Sequence, residues 1–249
     1  MNANNKFALI TGASGSIGKA LCQAFTDNGY YVIATDIIDS DEIICDSFIK
    51  ADLGAFCHSD IELSGFTEKV LRELDGHGLH ILVNNAATQI LGAVNELSTE
   101  NWMRTLDVNL TAPFLLAQSF LSLLQKTNGS IINISSVHAT ATKPNFVAYA
   151  TSKAALSGLT QSLAIDLAPE VRVNAVNPAA TNTPMLLEGF LGKKDKYDEL
   201  KKMHPLERIA EPEEIADVVV FLASEKAKFI TGINMDIDGG ILRRLHDPD

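Results

Sequence analysis

The sequence predicts an α/β fold with a doubly wound, mostly parallel sheet of seven strands and helices on both faces. Three observations support this prediction. Short apolar runs alternate with longer helical patterns along all 249 residues. A glycine-rich turn stands between the first strand and the first helix. No repeat or low-complexity linker divides the chain, so residues 1–249 are predicted to form one domain.

The predicted strands are short and apolar, and a helical pattern follows most of them. Strands are predicted over residues 7–10, 30–35, 48–51, 80–83, 130–134, 171–176 and 234–237. Helices are predicted over residues 16–28, 60–74, 99–126, 146–167, 185–202 and 212–223. Right-handed crossovers between parallel strands then place the helices on both faces of the sheet.

Composition and charge exclude several classes of protein. The chain is 46% hydrophobic, which fits a sizeable core, and its formal net charge of -11 disfavours nucleic-acid partners. Cys22, Cys45 and Cys57 have no metal-ligand spacing and form no disulfide framework, so we expect no metal site and a reducing compartment. No apolar run approaches the roughly 20 residues that span a bilayer. The sequence therefore predicts a cytoplasmic protein without a membrane segment.

The glycine-rich turn has the features of a dinucleotide site. Gly12, Gly15 and Gly18 enclose Ser16 and Ile17 between the first strand and the first helix, where backbone can approach a pyrophosphate. Asp36 ends the next strand, and its carboxylate can accept hydrogen bonds from ribose hydroxyls while repelling a 2′-phosphate. This combination is typical of a Rossmann-type fold that binds NAD rather than NADP. The alternative is that Asp36 only caps the strand end.

Tyr149 and Lys153 form a candidate acid/base pair. They stand at positions i and i+4 within a helical pattern, so both side chains lie on one face. A nearby ammonium is expected to lower the pKa of the tyrosine, which can then exchange a proton with an alcohol or a ketone. Ser136 follows a strand, where its hydroxyl can hold the substrate oxygen, although serine also commonly caps a turn. The spacing alone occurs by chance in many helices, and the context favours catalysis.

These residues, taken in order, resemble the short-chain dehydrogenase/reductase family in its short single-domain branch. The resemblance extends over nearly the whole chain and includes Thr11-Gly12, Asp52-Leu53, Asn84-Asn85-Ala86, Asn109, Ser136, Tyr149, Lys153, Asn177-Pro178, Thr183 and Asp238-Gly239-Gly240. It implies a Ser-Tyr-Lys-Asn catalytic set in which Asn109 holds a water that links Lys153 to solvent. It also implies contacts with the cofactor from Asp52, Leu53, Asn85, Ala86, Tyr149, Lys153, Pro178, Thr181 and Thr183.

Three positions depart from the family pattern. Ser16, Ala87 and Ala179 stand where the family usually has glycine. An alanine that must adopt a positive φ costs on the order of 1 kcal/mol, so strain is expected if these positions need that conformation.

The resemblance also indicates where the substrate binds. A segment over about residues 185–205 is expected to form a lid over the site. Gln89, His138 and Met185 are the candidate substrate contacts, and His138 is alternatively a hydrogen-bonded wall residue. A small polyol, sugar or hydroxy acid is the expected substrate.

The predicted function is NAD(H)-dependent interconversion of a secondary alcohol and a ketone. One alternative is an NADPH-type 3-oxoacyl thioester reductase, and another is a non-catalytic NAD-binding regulator. The resemblance further implies a homotetramer paired through the helices over residues 99–126 and 146–167. The apolar face of residues 111–124 favours such pairing, although its surplus leucines could instead pack under the lid.

Overall fold

The computed structural model describes residues 6–40 and 42–245, apart from the side chain of Met185, and contains a seven-stranded sheet. Its strands are β1 (Lys6–Thr11), β2 (Tyr30–Asp36), β3 (Ser47–Lys50), β4 (Ile81–Asn84), β5 (Ser130–Ile134), β6 (Arg172–Pro178) and β7 (Asn234–Ile237). They lie in the order β3-β2-β1-β4-β5-β6-β7, and all of these neighbours pair in parallel. The strand order reverses between β1 and β4, where such sheets bind ligands. The predicted fold class is confirmed.

One helical prediction needs correction. The helices are α1 (Ser16–Asp27), α2 (Asp60–Leu74), α3 (Thr99–Leu106), α4 (Ala112–Gln125), α5 (Val147–Asp166), α6 (Pro184–Gly189), α7 (Lys194–Met203) and α8 (Pro212–Ala223). The helix predicted over 99–126 is interrupted by a π-helical turn, Asp107–Thr111. The helical segments predicted over 185–202 are α6 and α7, and Gly192 between them adopts a φ of 71°.

The core has two layers, one on each face of the sheet. Phe7 and Leu9 of β1 pack with residues of α2, α4 and α5, whereas Ala8 and Ile10 pack with residues of α1 and α8. Alternate side chains of a strand point to opposite faces, and both faces are covered here, so the whole strand is apolar. This packing holds the carboxyl ends of the strands along one edge, where the predicted site residues lie.

One helical region is longer and more apolar than the sequence prediction implied. Thr99–Gln125 is long and apolar enough to cross a membrane by length and composition. This corrects the expectation that no apolar run approaches the length of a membrane span. The same region packs as a core helix, however, with Leu116, Phe120 and Leu124 buried against the sheet. Core helices pass such a test as readily as membrane spans, so the region is weak evidence for a membrane.

Candidate active site

The turn between β1 and α1 requires two of its glycines. Gly12 has a φ of 67°, and a Cβ there would lie 2.6 Å from the Cα of Ala86. A Cβ on Gly18 would lie 2.0 Å from the Gly12 carbonyl oxygen. At Gly15, by contrast, the nearest atom to a Cβ would be 3.6 Å away. The two crowded glycines therefore let the turn close, and Gly15 remains on its exposed side.

The start of α1 is suited to an anion. Gly15 precedes the helix without a side-chain cap, and the first turn, which begins with Ser16 and Ile17, contains no acidic residue. Serine side chains cap α2 and α3. The first N–H groups of a helix have no partner within it, and its dipole favours negative charge there. The uncapped α1 therefore fits a pyrophosphate.

A hydrogen-bond network fixes the glycine-rich turn to the end of β4. The Thr11 hydroxyl donates to the Val83 carbonyl over 3.3 Å and accepts from the N–H groups of Asn85 and Ala86, each over 3.0 Å. The Asn85 amide donates to the carbonyl oxygens of Thr11 and Gly12 over 2.9 Å each. Asn85 and Ala86 thus lie beside the turn, as the resemblance implies.

Asp36 has structural hydrogen bonds of its own. Its carboxylate accepts from the backbone N–H of Ser14 over 2.9 Å, of Ile37 over 2.7 Å and of Ile38 over 3.3 Å. Asp36 therefore caps the end of β2, as the alternative interpretation of this residue expected. A carboxylate has about four acceptor sites, so room for a ribose hydroxyl remains.

Asp52 is held by a residue that the sequence analysis missed. One of its carboxylate oxygens accepts from the Gly54 N–H and from the Arg104 guanidinium, both over 2.9 Å. Leu53 beside it is buried. Arg104 lies 52 residues further along the chain, and no local pattern connects the two positions. Only the packing of α3 brings them together.

Asn109 lies in the π-helical turn and links two other elements. Its amide donates to the Thr88 carbonyl over 2.9 Å and to the Ser152 hydroxyl over 3.0 Å. Its carbonyl oxygen accepts from the Thr88 N–H over 2.8 Å. The substrate candidate Gln89 follows Thr88 directly and is half-buried. π-Helical turns are rare and often occur at functional sites.

Tyr149, Lys153 and Ser136 meet at the carboxyl end of β5. The Lys153 amine lies 5.6 Å from the centroid of the Tyr149 ring and donates to the Ile134 carbonyl over 2.7 Å. The Ser136 hydroxyl accepts from the His138 N–H over 3.2 Å, so it caps a turn, and it is near enough to Tyr149 to oppose the rise in the pKa of that phenol. The three predicted side chains are therefore brought together.

Burial governs the protonation of this group. It lowers the pKa of Lys153 from 10.5 to about 7 and raises the pKa of Tyr149, while the hydrogen bond from Ser136 opposes the second change. Burial therefore opposes the lowering of the Tyr149 pKa that the sequence predicts from Lys153. A lysine with a pKa near 7 is charged only part of the time at neutral pH, so it stabilises a phenolate weakly.

An aromatic stack forms a wall beside the tyrosine. His138 stacks on Phe146 with ring centroids 4.4 Å apart and meets Tyr149 edge-on at 5.9 Å. The Lys143 amine lies 4.7 Å from the Phe146 ring centroid. His138 shares a hydrogen bond of 2.9 Å with the Thr142 hydroxyl, and burial, followed by Lys143, lowers its pKa. These contacts favour the interpretation of His138 as a wall residue.

Three predicted cofactor residues lie at the end of β6 and in the segment that follows it. Pro178 is its last residue, and Thr181 forms an isolated bridge with Ala210. The Thr183 hydroxyl caps α6 as an acceptor, which leaves its hydrogen available for another partner. The side chain of Met185, a predicted substrate contact, lies outside the described residues.

The cysteines are separate from these contacts. Cys22 is buried, which raises its pKa to about 12, and Cys45 and Cys57 are partly buried thiols. Within residues 6–40 and 42–245, no group of three or more His, Cys, Asp or Glu side chains is placed to hold a metal ion.

Comparison with known proteins identifies the family. The model of a family described as enoyl-(acyl carrier protein) reductase matches residues 12–242, which include both the glycine-rich turn and the Tyr149 group. The chain belongs to the short-chain dehydrogenase/reductase family. This confirms the predicted resemblance, and the matching relatives include named dehydrogenases that act on hydroxyl groups, so the prediction of an oxidoreductase is confirmed as well.

Three relatives of this chain in the short-chain dehydrogenase/reductase family cover almost all of its length. The trans-4-hydroxycyclohexanecarboxylate dehydrogenase of Sinomonas cyclohexanicum is 35% identical over 94% of this chain and 92% of its own. The NAD-dependent glycerol dehydrogenase of Listeria innocua is 33% identical over 96% of this chain and 94% of its own. The structure of Thermoplasma acidophilum aldohexose dehydrogenase superposes with a TM-score of 0.91, at 34% identity, over 99% of this chain and 97% of its own.

The departures from the family's usual glycines cause no backbone strain. Ser16, Ala87 and Ala179 all have a φ outside the positive region. Ser16 is the first residue of α1, and the N–H of Ala179 donates to the Ile237 carbonyl over 3.0 Å in extended backbone. The strain considered for the alanines is therefore absent, and this short-chain dehydrogenase keeps a regular backbone at these positions.

Proposed function

We propose that the protein is an NAD(H)-dependent oxidoreductase that interconverts a secondary alcohol and a ketone. The observation that supports this most strongly is the meeting of Tyr149, Ser136 and Lys153 at the carboxyl end of β5. A phenol, a hydroxyl and an amine buried together can hold an oxygen atom and exchange a proton with it.

The residues around the glycine-rich turn fit NAD. The uncapped start of α1 would hold the pyrophosphate, Asp36 would accept from the adenosine ribose, and Asp52 with Leu53 would flank the adenine. The nicotinamide end would contact Asn85, Ala86, Tyr149, Lys153, Pro178, Thr181 and Thr183. When bound, the nicotinamide donates a hydride to the substrate carbon or accepts one from it.

The side chains of this chain handle the proton. In reduction, the Tyr149 phenol donates its proton to the ketone oxygen, which the Ser136 hydroxyl also holds by a hydrogen bond. In oxidation, Tyr149 must first give up its own proton, and as the phenolate it takes the proton from the alcohol. Lys153, with a pKa of about 7, can return or remove a proton near neutral pH. Asn109, through Thr88 and Ser152, keeps the loop after β4 beside α5.

NAD is the proposed cofactor in preference to NADP. The carboxylate of Asp36 lies beside the start of the glycine-rich turn, where it hydrogen-bonds to the Ser14 N–H. A 2′-phosphate on the adenosine ribose would bring a second negative group next to it, which is unfavourable. The name of the glycerol dehydrogenase relative, which is NAD-dependent, supports the same preference.

A small polyol, sugar or hydroxy acid is the proposed substrate. The three relatives are named for glycerol, an aldohexose and a hydroxycycloalkane carboxylate, one from each of these classes. Gln89 and the His138 wall would contact the substrate, and Met185 belongs to the proposed lid over residues 185–205. The lid would close over the site from α6 and α7.

Two alternatives are less well supported. A 3-oxoacyl thioester reductase of the NADPH type would have to bind the 2′-phosphate of its cofactor beside the negative charge of Asp36. A non-catalytic NAD-binding regulator would have no need of Asn109, Ser136, Tyr149 and Lys153 together. Activity with NADPH on an acyl thioester would identify the reductase. NADH binding without turnover of any alcohol would identify the regulator.

We also propose a cytoplasmic homotetramer. Large apolar side chains are exposed on the helices expected to pair, namely Phe114 of α4 at 41%, Val147 of α5 at 40% and Ile165 of α5 at 81%. Apolar surface of this kind suits a subunit interface. Light scattering on the purified protein tests the proposal, and a monomer at micromolar concentration would contradict it.

A screen of substrates tests the proposed function. Purified protein is mixed with NAD+ and, in turn, simple alcohols, polyols, aldoses and hydroxy acids, and NADH formation is followed by absorbance. We expect turnover in at least one of the last three groups and a weaker rate with NADP+. The same screen with Tyr149→Phe controls for contaminating dehydrogenases. Absence of any turnover together with tight NADH binding would favour the regulator.

A further inference from the structure

Residues 52–58, here called the strap, run along one side of the helical turn that precedes Asn109. A Cβ on Gly54 would lie 1.9 Å from the Arg104 guanidinium and 3.3 Å from the Cγ2 of Val108. The strap backbone therefore packs directly on the side chains of α3 and the π-helical turn. The ion pair between Arg104 and Asp52 fixes its first residue to α3.

The other end of the strap holds Asp107. The Nε2 atom of His58 lies 2.8 Å from a carboxylate oxygen of Asp107, and the Cys57 thiol donates to the Asp107 carbonyl over 3.5 Å. Asp107 is the first residue of the π-helical turn and is buried, whereas His58 is largely exposed. A buried carboxylate is stable only with a partner, and His58 supplies it.

The π-helical turn stands between the strap and the catalytic helix. Asn109, two residues after Asp107, donates to the Ser152 hydroxyl, which in turn donates to the Tyr149 carbonyl over 2.7 Å. Contacts therefore run from His58 through Asp107 and Asn109 to α5. π-Helical turns are rare inside α-helices, and this one has the strap on one side and α5 on the other.

We infer that His58 and Asp107 are positioning residues, which hold the π-helical turn and thereby Asn109 in the arrangement that catalysis needs. Neither residue touches the substrate or the reacting atoms, and both act through Asn109. The inference rests on the proposed function, because Asn109 matters only if Tyr149 and Lys153 transfer a proton.

Two measurements on full-length His58→Ala test the inference. Amide hydrogen exchange needs no substrate, and we expect faster exchange over residues 107–112. With the alcohol found in the screen, kcat should fall by about two- to fivefold, as for loss of a partly exposed pair, with the NADH dissociation constant unchanged. The solvent isotope effect on kcat should rise, because the proton step becomes slower.

Two further variants act as controls. The glutamine of His58→Gln can still donate to Asp107, so this variant should have the wild-type rate of amide hydrogen exchange and the wild-type kcat. Arg72→Ala removes an exposed ion pair with Glu68 on α2 and should change neither. Unchanged exchange in His58→Ala overturns the inference, whatever the turnover. A fall in kcat that His58→Gln does not restore overturns it as well. If the wild type has no turnover, the proposed function fails, and the exchange result still decides whether His58 holds the turn.

Discussion

The amine of Lys153 donates to the backbone carbonyl of Ile134 over 2.7 Å, and both residues are buried. This hydrogen bond joins the catalytic helix α5 to the end of β5. It also provides a polar partner for a lysine that has almost no contact with water. The hydrogen bond thus stabilises the lysine in its buried position. Burial itself lowers the pKa of Lys153 to about 7, within the range where proton exchange at neutral pH is efficient.

Burial of Lys153 should make stability depend on pH. In the unfolded chain this lysine keeps its proton up to about pH 10.5, whereas in the folded protein it loses the proton near pH 7. Between these values the unfolded state binds more protons, so the free energy of unfolding should rise with pH, by up to about 1.4 kcal/mol per unit. Urea unfolding between about pH 7 and pH 9.5 measures this. Lys153→Met should lack the rise, and parallel curves for the two proteins would contradict the assignment.

Asp36→Ala should change cofactor preference and stability together. Removing the carboxylate relieves its repulsion of a 2′-phosphate, so the preference for NAD over NADP should narrow by about tenfold or more. The loss of three backbone hydrogen bonds should also destabilise the protein by about 1–3 kcal/mol. Steady-state kinetics with both cofactors and urea unfolding measure the two effects. Asp39→Ala, an exposed acid in the same loop, is the control. A wild type equally active with both cofactors would refute the role of Asp36.

Arg104→Met should weaken cofactor binding without changing the chemical step. The guanidinium holds one oxygen of Asp52, beside the position proposed for the adenine, and methionine preserves much of the packing against Gly54. We expect the NADH dissociation constant, measured by fluorescence titration, to rise by about three- to tenfold. At saturating cofactor, kcat should be retained. Arg72→Met is the matched control, and an unchanged constant in Arg104→Met would show that Asp52 needs no such partner.

The sequence was sufficient where local pattern decides structure. The apolar run of β1 and the glycines at positions 12 and 18 are local features of the sequence, and both predictions hold in the structure. The spacing of Tyr149 and Lys153 correctly predicted that they share one face of a helix.

The rest depends on packing between distant segments. The π-helical turn at Asn109 could not be predicted, because the apolar pattern of residues 99–125 is that of a continuous helix. The contact with His58 is made by a residue that is distant in the sequence. The effect of burial on the pKa of Tyr149 could not be predicted for a similar reason, since the sequence shows the nearby lysine and not the depth at which both groups are buried.

Turnover by Tyr149→Phe is the most direct test of the central claim, that this phenol is the catalytic acid/base. The ring packs against His138 and Phe146, so phenylalanine should preserve the fold and keep NADH affinity within about twofold. Turnover should fall by at least about 10²-fold, the lower range for general acid–base catalysis. Tyr31→Phe, which removes a phenol hydrogen-bonded to Glu73, should keep most of its activity. A Tyr149→Phe enzyme that retained more than about a tenth of wild-type turnover would contradict the claim.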